Sequence, residues 1–225
     1  MKAVLFDLFE TLITERENGK NVRDLGTPEC ESPATLLGIK EADFEREWVI
    51  RRPGRMNGIF PDYYTALKDI CLNFNLAVDD DLLHSLNERR VTAKRIPYQH
   101  IEKCVLDALE GLKNKGLKVG LISNCSAEEI DDLFSCPLTN FIDEIVLSFR
   151  VGVSKPHKEI YSLACDRLRV KPAECIFVGD GGASELVGAT NAGIKAYRAT
   201  WFHNRADIGD EFQKVENPKY ILDLV

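Results

Sequence analysis

Five short, largely apolar runs do most to limit what this chain can fold into: residues 3–6, 117–122, 144–147, 175–179 and 194–199. Each has the length of a strand and is too short for a helix, and such runs suit strands buried on both faces. From Pro97 onward they alternate with segments of helical period. Ile101, Val105, Ala108, Leu109 and Leu112 share a face, closed by Gly116. Ser126 with Glu129 forms a capping-box pattern that predicts a further helix. Lys155-Pro156 opens a helix through Ile160, Leu163, Ala164 and Leu168, and another runs over 184–192 to a stop at Gly193. Alternation of this kind predicts an α/β fold, a parallel sheet with helices on both sides, with Tyr220-Ile221-Leu222 as a small last strand.

Between the first run and the second lies text of another character. Residues 14–33 are polar and carry Gly19, Gly26 and Pro28, which predicts a long connection. Residues 32–94 read as helical. Glu41 begins a segment to Arg52 with Phe44, Trp48 and Val49 on one face, and Pro61 opens another to Phe74. Asp79-Asp80-Asp81 opens a third, where carboxylates favour the positive end of the helix dipole. The expected division is a core of 1–14 and 96–225 interrupted by a helical unit, 15–95.

The totals narrow the classes of function. A net charge of −7 over 225 residues argues against a nucleic-acid surface. Arg51-Arg52-Pro53-Gly54-Arg55 is the densest basic stretch, suited to a local anion contact or a solvated turn. No apolar run reaches membrane-spanning length, and Met1-Lys2 leads directly into the first strand without a signal-peptide pattern. Seven cysteines without a C-x-x-C pair suit a reducing cytoplasm. Oligomeric state is left open.

Polar residues stand where the apolar runs end: Asp7 and Thr11 after the first, Ser123 and Asn124 after the second, Asp180 after the fourth. Ligands of open α/β sheets bind off the carboxyl ends of the strands. Phosphoryl transfer asks for an in-line nucleophile, donors and positive charge around the equatorial oxygens, and usually a metal. Asp7 can be a carboxylate nucleophile, Thr11 and Ser123 can donate hydroxyl hydrogen bonds, and Lys155 can balance charge. Asp180 with Asp7 can hold Mg²⁺ through hard oxygen ligands.

These segments resemble the motifs of the haloacid dehalogenase-like hydrolase superfamily. Phe6-Asp7-Leu8-Phe9-Glu10-Thr11-Leu12 is similar to its first motif, and Leu121-Ile122-Ser123-Asn124 to its second. Val153-Ser154-Lys155-Pro156 is similar to the third, and Val178-Gly179-Asp180 through Glu185 to Gly193 resembles the fourth. The resemblance implies a Rossmann-like core, an inserted helical cap, an aspartyl intermediate on Asp7, Mg²⁺ and a small phosphorylated substrate. It places the metal on Asp7, Asp180, Glu185 and the backbone carbonyl of Phe9, and the substrate beside Phe9, Glu10 and Asn124.

Two positions depart from that pattern. Phosphatases of the superfamily usually carry a second aspartate two residues after the nucleophile, as general acid; here it is Phe9. Glu185 stands where aspartate is common. Phe9 resembles the 2-haloacid dehalogenase branch, which uses no metal, whereas Asp180 points to metal-dependent phosphate chemistry. A metal-free dehalogenase and a binding protein without turnover are therefore the rival expectations. Glu10 is a candidate replacement acid. His157, Trp201, His203, Asn57-Gly58 and the arginines at 51, 52 and 55 are candidates for the pocket wall.

Overall fold

In this computed structural model, residues 1–17, 20–21 and 31–225 are described. Strand β1 spans Ala3–Phe6, and a two-residue hairpin, β2 Arg16–Glu17 with β3 Lys20–Asn21, follows it. The rest of the expected 14–33 connection falls mostly outside the described residues. Then come β4 Lys118–Ser123, β5 Glu144–Leu147, β6 Cys175–Gly179, β7 Lys195–Ala199 and β8 Lys214–Val215. The main sheet has six strands in the order β5-β4-β1-β6-β7-β8, every neighbouring pair parallel.

Alternation along β1 explains why the sheet is covered twice. Val4 and Phe6 join one cluster with Val105, Leu109 and Leu112 of the helix Lys103–Asn114. Ala3 and Leu5 join the opposite cluster with Ile160, Tyr161 and Ala164 of the helix Lys158–Leu168 and Leu186 of the helix Glu185–Asn191. Period-two side chains on a strand buried on both faces require such a double cover. β1 is central: β4 pairs on one side of it and β6 on the other, so the chain leaves β1 at a topological switch point.

Three sequence expectations are corrected. Tyr220-Ile221-Leu222 is not a strand; it lies in a 3₁₀ turn, Pro218–Asp223, and the sixth strand is β8. Asn217 caps that turn by accepting a hydrogen bond from the Lys219 N–H at 3.0 Å. The capping box is present, with the Ser126 N–H donating to Glu129 at 3.1 Å, but no α-helix grows from it. Short 3₁₀ turns follow instead, Ala127–Glu129, Leu133–Ser135 and Pro137–Asn140, the last opened by a proline whose missing N–H interrupts any continuous ladder. Val49 is 56% exposed and leaves the face of Phe44 and Trp48.

The segment between β1 and β4 holds the helices Glu41–Ile50, Arg52–Met56, Tyr63–Asn73 and Asp80–Gln99. They have a core of their own, including Phe44, Tyr63, Leu67, Ile70, Leu83 and Leu86. Asp62 and Asp79 cap the last two by accepting backbone N–H bonds from Thr65 and Leu82. The helix Asp80–Gln99 runs past residue 95 and carries Pro97 in its last turn, where little helix remains to be broken.

That long helix is clamped to the sheet domain by charge. Arg90 donates to Glu128 and Glu129 at 2.9 Å each, and Lys94 donates to Glu15 and Glu129 at 2.7 Å each. Tyr98 adds a hydroxyl bond to the Glu129 carbonyl at 2.9 Å. Burial alone would raise the Glu129 carboxyl, but Lys94 and Arg90 hold it well below the usual carboxylate range. Removing one member of a buried ionic cluster leaves the others uncompensated, so Glu129→Gln should lower stability at pH 7 by about 3 kcal/mol. A depressed carboxyl contributes above its unfolded value of 4.5 and loses that contribution as pH falls below it. The gap between wild type and variant in urea unfolding should therefore narrow from pH 5 downward; a gap constant to pH 3 would contradict the assignment.

Candidate active site

Asp7 is the first residue beyond β1, fixed by its N–H donating to the Val178 carbonyl of β6 at 3.0 Å. The turn that follows folds back tightly: the Leu8 carbonyl accepts from the Leu12 N–H at 2.8 Å and the Ile13 N–H at 3.0 Å. This turn buries Thr11, whose carbonyl also accepts the Trp201 indole N–H at 2.9 Å. Ser123 ends β4 beside it. The hydroxyls of Thr11 and Ser123 are both buried and have no hydrogen-bond partner among the described residues. Orphaned buried hydroxyls are costly and mark places where a ligand or water is expected.

Lys155 reaches the same point from the loop ahead of the helix Lys158–Leu168. Asn124 clamps its backbone twice: the Lys155 N–H donates to the Asn124 carbonyl oxygen and the Asn124 amide donates to the Lys155 carbonyl, each at 2.8 Å. Asn124 also lines the cavity, but its amide is committed to Lys155. The Lys155 ammonium donates to Asp7 Oδ1 and, at 2.5 Å, to Glu185 Oε2. Burial would lower its pKa, and the two carboxylates more than reverse that.

Two glycines make the approach of Glu185 possible. A Cβ at Gly179 would lie 2.2 Å from Glu185 Oε1, and one at Gly188 would lie 2.5 Å from the Pro156 carbonyl. The helix bearing Glu185 therefore sits against the end of β6 and the Lys155 loop. The Gly181 N–H donates to Glu185 Oε1 at 3.0 Å, and the Gly182 N–H donates to Asp180 Oδ1 at 2.8 Å.

Asp7, Asp180 and Glu185 thus each offer a carboxylate oxygen within 4.8 Å of the others. All three are buried, and Lys155 stands between Asp7 and Glu185. Burial pushes the Asp7 carboxyl up, more than Lys155 pulls it down, and Asp180 adds to the rise. Burial first and Asp7 second push Glu185 up to about 8. Such raised values signal a shortage of positive charge, and a divalent cation bound by hard oxygen ligands would supply it. The donor set therefore fits Mg²⁺.

A cavity of about 380 Å³ opens beside this cluster. Phe9 and Glu10 line it, as do Lys155, Asp180 and Glu185. Phe9 lies under Lys94, whose ammonium is 5.1 Å from the ring centre. Glu10 adopts φ 57° and accepts from the Thr14 hydroxyl at 2.9 Å and the Glu15 N–H at 3.1 Å. Burial raises its carboxyl above the ordinary value. Other expected wall residues lie elsewhere. His157 is exposed, Trp201 and His203 are not in the wall, and neither are Asn57 and Gly58. Arg51 is paired with Glu47 and Asp69 at 2.5 and 2.6 Å and also faces away.

Several wall residues had no signal in the sequence. Arg205 reaches Asp180 Oδ2 at 3.4 Å from the segment after β7. That segment is held by buried Arg198, which donates to the Ile208 carbonyl at 2.9 Å, to Asn204 at 3.1 Å and to the Arg205 carbonyl. Trp48, Arg90, Lys94 and Glu129 come from distant parts of the chain. Only tertiary packing brings them to the cavity.

A family model described as haloacid dehalogenase-like hydrolase matches residues 1–193. A glyceraldehyde 3-phosphate phosphatase of Methanopyrus kandleri is 30% identical over 129 residues, 54% of this chain and 54% of that protein. The chain thus spans about half the length of this curated relative. An (S)-2-haloacid dehalogenase of Pseudomonas fluorescens is 25% identical over 94% of this chain and 88% of its own length. Among solved structures, a HAD phosphatase from Thermococcus onnurineus superposes with a TM-score of 0.67 at 22% identity, covering 100% of this chain and 97% of that one. This last likeness speaks to the fold.

The Gly179 contact yields a test of the cluster. Gly179→Ala should cost about 1–3 kcal/mol of stability by overpacking. By pushing Glu185 off Lys155, it should also lower turnover at least tenfold, since small misplacements of reacting groups are expensive. Wild-type kcat in a folded Gly179→Ala protein would show that Glu185 is not needed where it lies.

Proposed function

The chain belongs to the haloacid dehalogenase-like hydrolases, and on that footing we propose that it hydrolyses a small phosphorylated metabolite with the help of Mg²⁺. The observation that carries this reading is the buried trio Asp7, Asp180 and Glu185, whose carboxylate oxygens lie within 4.8 Å of one another with Lys155 among them. A carbon-directed site without a cation has no use for a third buried acid at this point.

In the proposed cycle an Asp7 oxygen attacks phosphorus, the bond from phosphorus to the leaving oxygen breaks, and the leaving group departs with the electron pair. Water then attacks the phosphorus of the aspartyl phosphate, releasing inorganic phosphate and restoring the Asp7 carboxylate. Thr11 and Ser123 donate their unpaired hydroxyls to the transferring oxygens, and Lys155 balances charge on both Asp7 and the phosphoryl group. Asp7, Asp180 and the Phe9 carbonyl would hold the cation, with Glu185 supporting it directly or through water; when bound, it neutralises developing charge on the phosphoryl oxygens. The helices of 15–95 act as a cap over a core of 1–14 and 96–225. The cytoplasm suits the six free cysteines among the described residues.

Mg²⁺ should raise the Tm, as any ligand specific for the native state does. The shift should disappear in Asp180→Ala, measured by differential scanning fluorimetry. A shift that persists in the variant would put the ion elsewhere.

Phe9 sustains a second reading, a metal-free dehalogenase, because its ring cannot give or take a proton. General acid–base help is worth ~10²–10⁴ in rate. A phosphatase lacking it should favour acyl and aryl phosphates, whose leaving groups depart as stable anions, over alkyl phosphates. Phe9→Asp should therefore raise kcat/KM for alkyl phosphates more than for aryl phosphates. Equal gains would mean another group supplies the proton, with Glu10 first in line, tested as Glu10→Gln. Turnover of 2-haloacids and of no phosphate ester by the wild type would favour the second reading.

A further inference from the structure

In the cavity wall contributed by the helices of 15–95, Arg55 is a buried cation that forms no ion pair with a carboxylate among the described residues. Of the other cations in that wall, Arg90 pairs with Glu128 and Glu129, and Lys94 pairs with Glu15 and Glu129. Arg55 is 7% exposed, lines the cavity, and forms no ion pair among the described residues. Its guanidinium carbon lies 3.5 Å from the centre of the Trp48 ring, and one amino group donates to the Trp48 carbonyl at 3.3 Å. Its Nε is buried and has no hydrogen-bond partner among the described residues. Stacking on Trp48 orients the guanidinium plane but leaves most of its donors unused.

Burying an arginine without an acid is expensive, and the cost is recovered when an anion arrives. Burial pushes the Arg55 guanidinium down to about 10 and Arg90 adds to the fall, while Glu129 and Glu128, which form no ion pair with it, offset this only in part. The group remains charged at neutral pH. Arg52, which also lines the cavity, is exposed at its edge. Both are separate from the groups of the sheet domain that would take the transferring phosphoryl.

Resting on the phosphate-transfer reading above, we infer that the substrate carries a second anionic group, a carboxylate or a second phosphate, which docks on Arg55 against Trp48. A planar guanidinium with free donors pairs with either through parallel hydrogen bonds. The site is thus built for small molecules with an anion at each end: the phosphoryl group at Asp7 and the second charge at the cap wall. A simple alkyl phosphate fills one end and leaves Arg55 unpaired.

Unreactive phosphonates test this by calorimetric titration in the presence of Mg²⁺. ω-Carboxyalkylphosphonates, from phosphonoacetate to 5-phosphonopentanoate, are compared with alkylphosphonates of equal length. α,ω-Bisphosphonates form a third arm that tells which second anion is preferred. Wild type should bind at least one doubly anionic length tenfold or more tighter than its alkyl counterpart, the size expected of a charged hydrogen bond. Arg55→Gln should reduce that preference to near unity while leaving alkylphosphonate affinity unchanged, and Arg55→Lys should keep part of it. If no length is preferred, or if Arg55→Gln weakens both classes equally, the inference is overturned while the phosphate reading stands. If wild type binds no alkylphosphonate at all, the phosphate reading fails and takes this inference with it.

Discussion

Burying an ammonium ion is tolerable only where acids meet it, and Lys155 is met by two, Asp7 at the end of β1 and Glu185 at the start of a helix. Much else in the molecule serves that meeting. Asn124 fixes the backbone of Lys155 from the end of β4. Gly179 and Gly188 let the helix of Glu185 come close enough. Tyr161 reaches across to the Glu185 carbonyl at 2.7 Å. Two elements, the end of β1 and the start of the helix Glu185–Asn191, are thereby tied to one nitrogen, and Asp180 stands beside them with its own charge met by Arg205.

Much of this was legible because it depends on order along the chain. The strands β5 and β6 coincide with the runs 144–147 and 175–179 read from the sequence, and a parallel sheet sends every strand end to the same side. Once the runs are recognised, Asp7, Ser123 and Asp180 must share an edge. The cavity wall supplied by the helices between β1 and β4 was not legible in this way. Arg51, Arg52 and Arg55 look alike in the sequence, yet Arg51 is consumed by Glu47 and Asp69 while Arg55 lines the cavity without an ion pair among the described residues. Only packing of one helix on the next decides which arginine is spent. Arg205 lies beyond the matched motifs, in polar text whose path is set by the buried guanidinium of Arg198. Tyr220-Ile221-Leu222 misled because its composition suits a strand, whereas Asn217 and Pro218 start a turn before pairing can begin.

Position 9 joins the two halves of the molecule. A ring there leaves no acid at the place from which a leaving group would take its proton. It also provides an apolar surface over which Lys94 lies, and Lys94 is held by Glu15 and Glu129. The same side chain thus limits the chemistry available beside Asp7 and contributes to the contact between the helical segment and the sheet. Glu129 serves both sides of that contact, accepting from the Ser126 backbone and from two cations of the long helix.

The place of β1 in the sheet has a consequence for how the protein comes apart. β5 and β4 lie to one side of it and β6, β7 and β8 to the other. The outermost strand on one side has two residues and that on the other has four, with Asp143 and Glu144 held in ion pairs by Lys113 and Arg167. Openings that start from short edges or from the separately packed helices need not disturb the centre. Amide hydrogens next to Asp7 are therefore expected among the slowest to exchange. The chemical groups at the end of β1 thus rest on the centre of the sheet, two strands from one edge and three from the other.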